Sequence, residues 1–307
     1  MPEERDRVLV TGGSGLIGRA LVAELAAVGR QVVVLSRRPE AVRGLPAGVR
    51  AAAWDAATAQ GWGHLADGAL AIIHLAGQNL ADWPWTKEKK RRIRESRTRS
   101  SRAVVAAIEA ARDRPLALIQ ASGINFYGDR GDEVVSEAEP AGGGFLAEVC
   151  VEWEAATARV EALGVRRALL RSGIVLAREG GALPRMALPF KLFVGGPLGG
   201  GRQFVPWIHL ADEVAAIRFL LDQKAAAGPV NLVAPETVTN RELSQELARA
   251  LGRPSLLGAP ALALRLGLGE MSVMLLTSLR AVPARLEALG FSFRFPRLAA
   301  ALGDLYG

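Results

Sequence analysis

Residues 7–20, RVLVTGGSGLIGRA, constrain the fold more than any other segment. An unbroken apolar run, Val8-Leu9-Val10, gives way to glycines and then to apolar residues at helical spacing. These are Leu16, Ala20, Leu21, Leu25 and Val28, with Gly29 at the stop. The run suits a buried parallel strand, and the spacing suits an amphipathic helix. Between them the glycines follow the pattern Gly13-x-Gly15-x-x-Gly18, with Gly12 just ahead. A glycine turn between strand and helix brings the backbone close to a pyrophosphate and aims helix N–H groups and the helix dipole at it. Ordinary turns also contain such glycines, but the position between a strand and a helix favours dinucleotide binding. Gly12, Ser14, Gly15, Leu16, Ile17 and Gly18 are therefore the first expected cofactor residues.

The alternation continues. Residues 31–36, 49–54, 69–75, 116–121 and 166–170 read as strands, residues 144–163 as a helix, and a basic helical segment stands between the fourth and fifth strands. That order predicts an α/β fold with a doubly wound parallel sheet. Beyond residue 175 the pattern changes. Residues 180–201 read as a long Gly/Pro-rich loop, 229–233 as a short strand, and 212–222, 239–251, 260–279 and 298–305 as helices. The expected organisation is a dinucleotide-binding domain over 1–175 and a smaller, mixed but mainly helical, substrate-side domain over 176–307. Folds of this type often lend a late strand back to the main sheet, so the second domain need not be contiguous.

The second strand ends at Leu35-Ser36-Arg37-Arg38. A site for NAD(H) usually has an acid there to accept from the ribose hydroxyls. Here a hydroxyl and two guanidiniums stand instead, and arginine makes paired, charge-assisted bonds to phosphate. Ser36, Arg37 and Arg38 thus point to NADP(H), the alternative being two solvated arginines after a strand.

Composition narrows the remaining classes. Apolar residues make up 50% of the 307, enough for a large core. The single cysteine, Cys150, precludes an internal disulfide and suits a reducing, cytoplasmic setting. The start, MPEERDRVLV, has no basic region followed by an apolar run, so no export signal is expected. Apolar stretches fall short of the roughly 20 residues of a membrane helix, so no membrane partner is expected. The net charge of +7 sits in residues 87–102, KEKKRRIRESRTRSSR, and the rest of the chain is balanced. That segment reads as a solvated helix face, as a site for an anionic partner, or as one wall of the site at Ser96. No nucleic-acid recognition motif accompanies it.

These residues resemble the extended short-chain dehydrogenase/reductase superfamily, which includes sugar-nucleotide epimerases. The spacing Thr11-Gly12-x-x-Gly15-x-x-Gly18 matches it, as do Trp54-Asp55, His74-Leu75-Ala76-Gly77, Ala121-Ser122-Gly123 and Phe126-Tyr127-Gly128. The resemblance implies cofactor roles for Asp55, Leu75, Ala76, Gly77 and Ala121. Gly180-Gly181-Ala182-Leu183, Gly195-Gly196-Pro197-Leu198-Gly199, Gly201-Arg202-Gln203 and Trp207-Ile208-His209 resemble its atypical, YfcH-like epimerase family. So do Val282-Pro283-x-Arg285-Leu286 and residues 289–296, which resemble that family's C-terminal domain of unassigned function.

The superfamily moves protons with a Tyr-x-x-x-Lys pair and a serine, the lysine lowering the tyrosine pKa. No such pair exists in this chain. Its place on the helix after the serine strand reads Phe145-Leu146-Ala147-Glu148-Val149, and Tyr127 is followed four residues later by Gly131. Three catalytic candidates remain, each with a structural alternative. Ser122 is a donor to a substrate oxygen or a self-satisfied strand end. Tyr127 is a relocated acid or a packed aromatic. Glu148 is an acid–base group if burial raises its pKa, or a solvated carboxylate. Cys150, His74 and His209 read as packed, and the histidines have no metal-ligand spacing, so no metal is expected. On the substrate side, Asn79, Arg202, Gln203 and Trp207 are candidates, with Trp83 and Trp85 as further flat walls and the loop at 195–203 as a closing element. The expected protein, monomer or homodimer, is an NADP(H)-binding, epimerase-like oxidoreductase for an anionic or nucleotide-linked small substrate. The other reading is an NADP(H)-sensing binding protein with little or no turnover.

Overall fold

The computed structural model describes residues 5–82 and 84–307. Seven strands form one parallel sheet: β1 (Arg7–Thr11), β2 (Gln31–Ser36), β3 (Arg50–Ala53), β4 (Ala71–His74), β5 (Ala117–Ala121), β6 (Arg166–Ser172) and β7 (Gly228–Leu232). Their order is β7-β6-β5-β4-β1-β2-β3. From β1 the chain winds outward through β2 and β3, then returns to the opposite side of β1 at β4. Between β1 and β4 the winding reverses, and a crevice opens beyond the carboxyl ends of the strands.

The longer helices are α1 (Leu16–Ala27), α2 (Lys87–Ala110), α3 (Phe145–Ala155), α4 (Leu183–Lys191), α5 (Leu210–Asp222), α6 (Asn240–Ala250), α7 (Ala261–Leu268) and α8 (Leu298–Tyr306). Strand side chains alternate between two cores. Val8 and Val10 meet α1 and α5 through Leu21, Leu25, Ile217 and Leu220. Leu9 faces the other way, onto Val104 and Ile108 of α2 and Trp62. Both faces are covered, which explains why the strands read as continuous apolar runs. Each fully buried Leu, Ile or Val contributes roughly 1.5–3 kcal/mol relative to exposure. A third core, around Leu183, Phe190, Trp207, Leu243 and Leu298, joins α4, α6 and α8.

In the second half one strand returns to the main sheet, and two expectations change. β7 pairs with β6 in register Val230–Leu170, so residues beyond 175 complete the main sheet. The expected loop at 180–201 contains α4, which buries Leu183, Ala187 and Phe190 on one face despite Pro184 and Pro189. The expected helix at 260–279 breaks at Gly269, whose φ of +57° ends α7 in the left-handed region. The expected helix at 144–163 likewise stops at Ala155 and resumes only as a short turn, Arg159–Ala162. The capping box Thr239/Glu242 opens α6 as its sequence suggests. Among the described residues, no helix is long and apolar enough to cross a membrane.

One buried carboxyl in this frame is a stability determinant. Glu213 of α5 is 1% exposed. Ser172 at the end of β6 donates to its Oε1 at 2.7 Å, while Oε2 has no partner among the described residues. Burial pushes this carboxyl up to about 8. A folded pKa raised above the unfolded one stabilises below the unfolded value and loses that contribution as pH rises through the folded value. Glu213→Gln should therefore raise Tm at pH 8.5 by on the order of 5 °C while changing it little at pH 4.5. Circular dichroism melts at the two pH values check this, and equal shifts at both would refute it.

Candidate functional site

A cleft of about 750 Å³ opens over the ends of β1, β2, β3 and β4. Its floor is held at the switch point. Thr11 Oγ1 lies 2.8 Å from His74 Nδ1 and accepts the N–H groups of Leu75 and Ala76 at 3.1 and 3.2 Å. The other face of the imidazole meets the hydroxyls of Ser100 and Ser101 on α2 at 3.2 and 3.3 Å. Burial pushes His74 down to about 4, so the ring is neutral at pH 7. It ties β1, β4 and α2 together without introducing a charge.

The glycine turn leaves space for a ligand and none for side chains. Gly12 has φ +70°, and a Cβ there would stand 2.9 Å from the Leu75 carbonyl carbon. A Cβ at Gly18 would stand 2.2 Å from the Gly12 oxygen. The Gly15 N–H closes the turn onto the Gly12 carbonyl at 2.9 Å. Behind it Leu16, Ile17 and Gly18 form the first turn of α1, which has no side-chain cap. First-turn N–H groups have no partner inside a helix, so this end offers donors and positive potential to an anion. The residues present therefore fit a dinucleotide pyrophosphate.

At the far side Ser36, Arg37 and Arg38 line the cleft, and the Ser36 hydroxyl accepts the Arg38 N–H at 3.2 Å. Among the described residues no acid lies within 4.0 Å of either arginine. Asp55 also lines the cleft, but its carboxylate accepts from the Thr58 and Ala57 N–H groups at 2.7 and 2.8 Å. These backbone donors hold it below its ordinary value. Ser14, Gly12, Gly15, Leu75, Ala76, Gly77 and Asn79 complete the expected lining. Asn79 Oδ1 also caps its own loop by accepting from Ala81 at 3.0 Å. Ala121 ends β5 outside the lining.

The structure adds a wall that sequence reading treated mainly as a solvated face. Arg92, Glu95, Ser96, Arg99 and Ser100 of α2 line the same cleft. Their spacing of three, four, seven and eight residues was the available signal. Ser96 accepts the Gln78 N–H at 3.1 Å. Arg92 pairs with Glu88 at 2.8 Å, whereas Arg99 has no acid within 4.0 Å among the described residues. Beside this cleft, and sharing Glu95 with it, a second opening of about 520 Å³ is lined by Lys87, Lys90, Arg91, Arg94, Phe145, Glu148 and Glu270. The Trp85 ring stands edge-on to Phe145 at 5.5 Å. The expected wall at Trp83 falls outside the described residues.

The catalytic candidates are not assembled into a proton relay. The Ser122 hydroxyl donates to Glu154 at 2.6 Å. Glu154 makes a two-point ion pair with Arg171 at 2.9 and 3.0 Å. Arg171 donates to the Tyr127 hydroxyl at 2.8 Å, and Tyr127 donates to Asn231 at 2.8 Å. Tyr127 is fully buried, and burial pushes its phenol above the ordinary value. The expectation of a relocated acid at Tyr127 is corrected: both polar directions of the phenol are taken up inside the core. Glu148 is exposed and pairs with Arg94 at 3.0 Å, so the burial that its acid–base role required is absent. Val149 is buried and Phe145 packs with Trp85, so the place of the missing pair is filled by packing. Burial pushes the Cys150 thiol up to about 12, which leaves it protonated at neutral pH.

Two substrate-side expectations are also corrected. Gln203 is buried and donates to the Leu198 and Leu275 carbonyls at 3.0 Å, bracing the loop from within. Trp207 is 1% exposed and its indole donates to the Glu236 carbonyl at 3.1 Å, inside the third core. Arg202 is exposed beside them, outside both clefts.

A parallel sheet with a glycine turn at its switch point and an arginine-rimmed cleft defines a dinucleotide-binding protein. More narrowly, the chain belongs to the NAD dependent epimerase/dehydratase family, which matches residues 8–233 and is the extended short-chain dehydrogenase type that the motifs resemble. A domain of unknown function (DUF1731) matches residues 259–305. An epimerase family protein of Mycobacterium bovis is 39% identical over 297 residues, 96% of each chain. The mouse epimerase family protein SDR39U1 is 36% identical over 97% of this chain and 99% of its own. The crystal structure of human SDR39U1 with NADPH superposes with a TM-score of 0.87 at 33% identity, covering 98% of this chain and 99% of that one.

The corrected role of Tyr127 has a direct check. Tyr127→Phe should cost roughly 1–3 kcal/mol of stability, because Arg171 and Asn231 lose a buried partner. Its affinity for NADPH should stay within about two-fold of the parent. Denaturant unfolding and cofactor titration measure the two, and lost binding in a fully folded variant would restore Tyr127 to the site.

Proposed function

We propose that the chain is an NADP(H)-binding, epimerase-like oxidoreductase for an anionic small molecule, working without a tyrosine–lysine pair. The observation that carries this reading is the set of three arginines, Arg37, Arg38 and Arg99, which line one cleft with no acid within 4.0 Å among the described residues. Cations that line a cleft without an acid paired to them favour a ligand with phosphate groups beyond the pyrophosphate. NADPH in the human SDR39U1 crystal structure supports the same choice. When bound, the cofactor would supply or accept a hydride. This chain's contribution is the glycine cradle for the pyrophosphate, the Ser36-Arg37-Arg38 rim for a 2′-phosphate, and the Leu75–Gly77 edge along the dinucleotide. The adjoining opening sets Lys87, Lys90, Arg91 and Arg94 around Phe145, and its three acids, Glu270, Glu95 and Glu148, pair with Lys90, Arg91 and Arg94, which leaves an aromatic floor and one cation in excess. The ring suits a flat, nucleotide-linked group, and the preference for an anionic substrate rests on the arginines of the main cleft.

A second reading has its own observation. Ser122 donates its hydroxyl hydrogen bond to Glu154 and Tyr127 is sealed in the core, so neither hydroxyl is poised to exchange a proton at the cleft. A protein that binds NADP(H) and signals its presence, with little turnover, is consistent with that arrangement.

Fluorescence titration should give an NADPH affinity at least about ten-fold tighter than NADH, since one charge-assisted bond is worth roughly 1.5–3 kcal/mol. Arg37→Ala with Arg38→Ala should remove the preference. Equal affinity of the parent for both cofactors would sink the assignment. A screen of nucleotide-linked and carboxylated carbonyl compounds, read as NADPH oxidation, separates the enzyme from the sensor.

A further inference from the structure

Two segments outside the dinucleotide site carry most of the large apolar side chains that face outward. Among the described residues 13 such side chains are exposed, and 8 of them fall within residues 183–202 and 251–268. The segments lie side by side. Leu256 and Leu257 both donate backbone N–H groups to the Gly195 carbonyl, at 3.1 and 3.2 Å. In the bridge that follows, between Leu198 and Ala259, Ala259 accepts the Gly199 N–H at 2.9 Å and donates its own to the Pro197 carbonyl at 3.0 Å. α7 leaves directly from that bridge, and none of its residues is buried. Leu262 and Leu266, one turn apart on the same helix face, are 68% and 80% exposed. A helix with an outward leucine face has no reason in this fold to be apolar.

Phe193 stands at the junction. It is 58% exposed and has φ +62°, a conformation that a bulky side chain adopts only under constraint. Leu192 and Val194 beside it are also more than half exposed. Strain spent on displaying an aromatic ring outward has no stabilising role within the chain.

Charge decides what covers this face. Residues 188–199 and 253–268 carry three cations, Lys191, Arg253 and Arg265, and no acid. The Arg253 guanidinium stacks on the Phe193 ring at 4.8 Å, so cation and apolar surface are presented together. A second copy docking through the same face would set three cations against three with no acid to offset them. An anionic lipid surface complements both properties, since it takes leucines into its interface and attracts the basic rim.

We propose that this face, formed by residues 188–199 and 253–268 with α7 at its edge, seats the protein peripherally on an anionic bilayer. Leu262, Leu266 and Phe193 enter the headgroup boundary, and Arg253 and Arg265 contact lipid phosphates. Such seating needs no spanning helix, because the face lies on the membrane rather than across it.

Co-sedimentation of the full chain with phosphatidylcholine vesicles, with and without phosphatidylglycerol, tests the proposal. The expected result is binding only to the anionic vesicles, weakened by salt. Arg253→Gln with Arg265→Gln should lower the partition constant roughly 30-fold, about five-fold per cation. Leu262→Asp with Leu266→Asp should abolish binding. All four side chains are on the surface, and unchanged Tm and NADPH affinity establish that the variants are folded. Absence of binding to anionic vesicles at low salt would overturn the proposal, as would equal binding to neutral ones. Self-association abolished by Leu262→Asp with Leu266→Asp, without vesicle binding by the parent, would assign the face to a second copy instead.

Discussion

The structure depends on the close approach of the Gly12 turn to the Leu75–Ala76 peptide at the point where the sheet reverses its winding. No side chain fits between them, since a Cβ on Gly12 would meet backbone at 2.9 Å. The gap is bridged by one buried hydroxyl, Thr11 Oγ1, which serves two N–H groups and an imidazole. The cleft exists because β1 and β4 end together here while their onward connections diverge to opposite faces of the sheet. The helix end, the arginine rim and the α2 wall are all positioned relative to that junction.

Electrostatics then separates two kinds of arginine. Arg171 is buried and fully engaged with Glu154 and Tyr127. A buried ion pair survives only when its remaining donors and acceptors are satisfied, and the chain from Ser122 to Asn231 satisfies them. The network braces the ends of β5, β6 and β7 against α3. Arg37, Arg38 and Arg99 have the reverse character: they line the cleft with no acid within 4.0 Å among the described residues. The Ser122 and Tyr127 hydroxyls have been drawn into the first set, while the second set faces the cleft. The same residue types thus divide between bracing and binding according to burial.

Legibility from the chain differed by element. β1 and β2 were readable to the residue because they are short, apolar and punctuated by glycine or arginine. α1 was readable because a single apolar stripe is its only means of covering the sheet. α4 was hidden, since two prolines and flanking glycines mask the spacing of Leu183, Ala187 and Phe190. The α2 wall was hidden by its charge, because cations on a solvated face and cations over a cleft are the same letters. Gln203 and Trp207 looked like ligand groups from their glycine-rich setting, yet each is spent on a backbone carbonyl inside the fold.

By itself the sequence determined the parallel sheet, the glycine turn, the absence of an acid at the end of the second strand and the absence of a tyrosine–lysine pair. Each is a local property, set by the identity or spacing of neighbouring residues. Only the tertiary structure decided which polar groups face the cleft, because that depends on partners far apart in the chain. Ser122 meets Glu154 from 32 residues away, and Tyr127 meets Asn231 from 104. A hydroxyl, carboxylate or guanidinium carries no mark of its partner until the chain folds, and burial then commits it to bracing the core or leaves it free to bind.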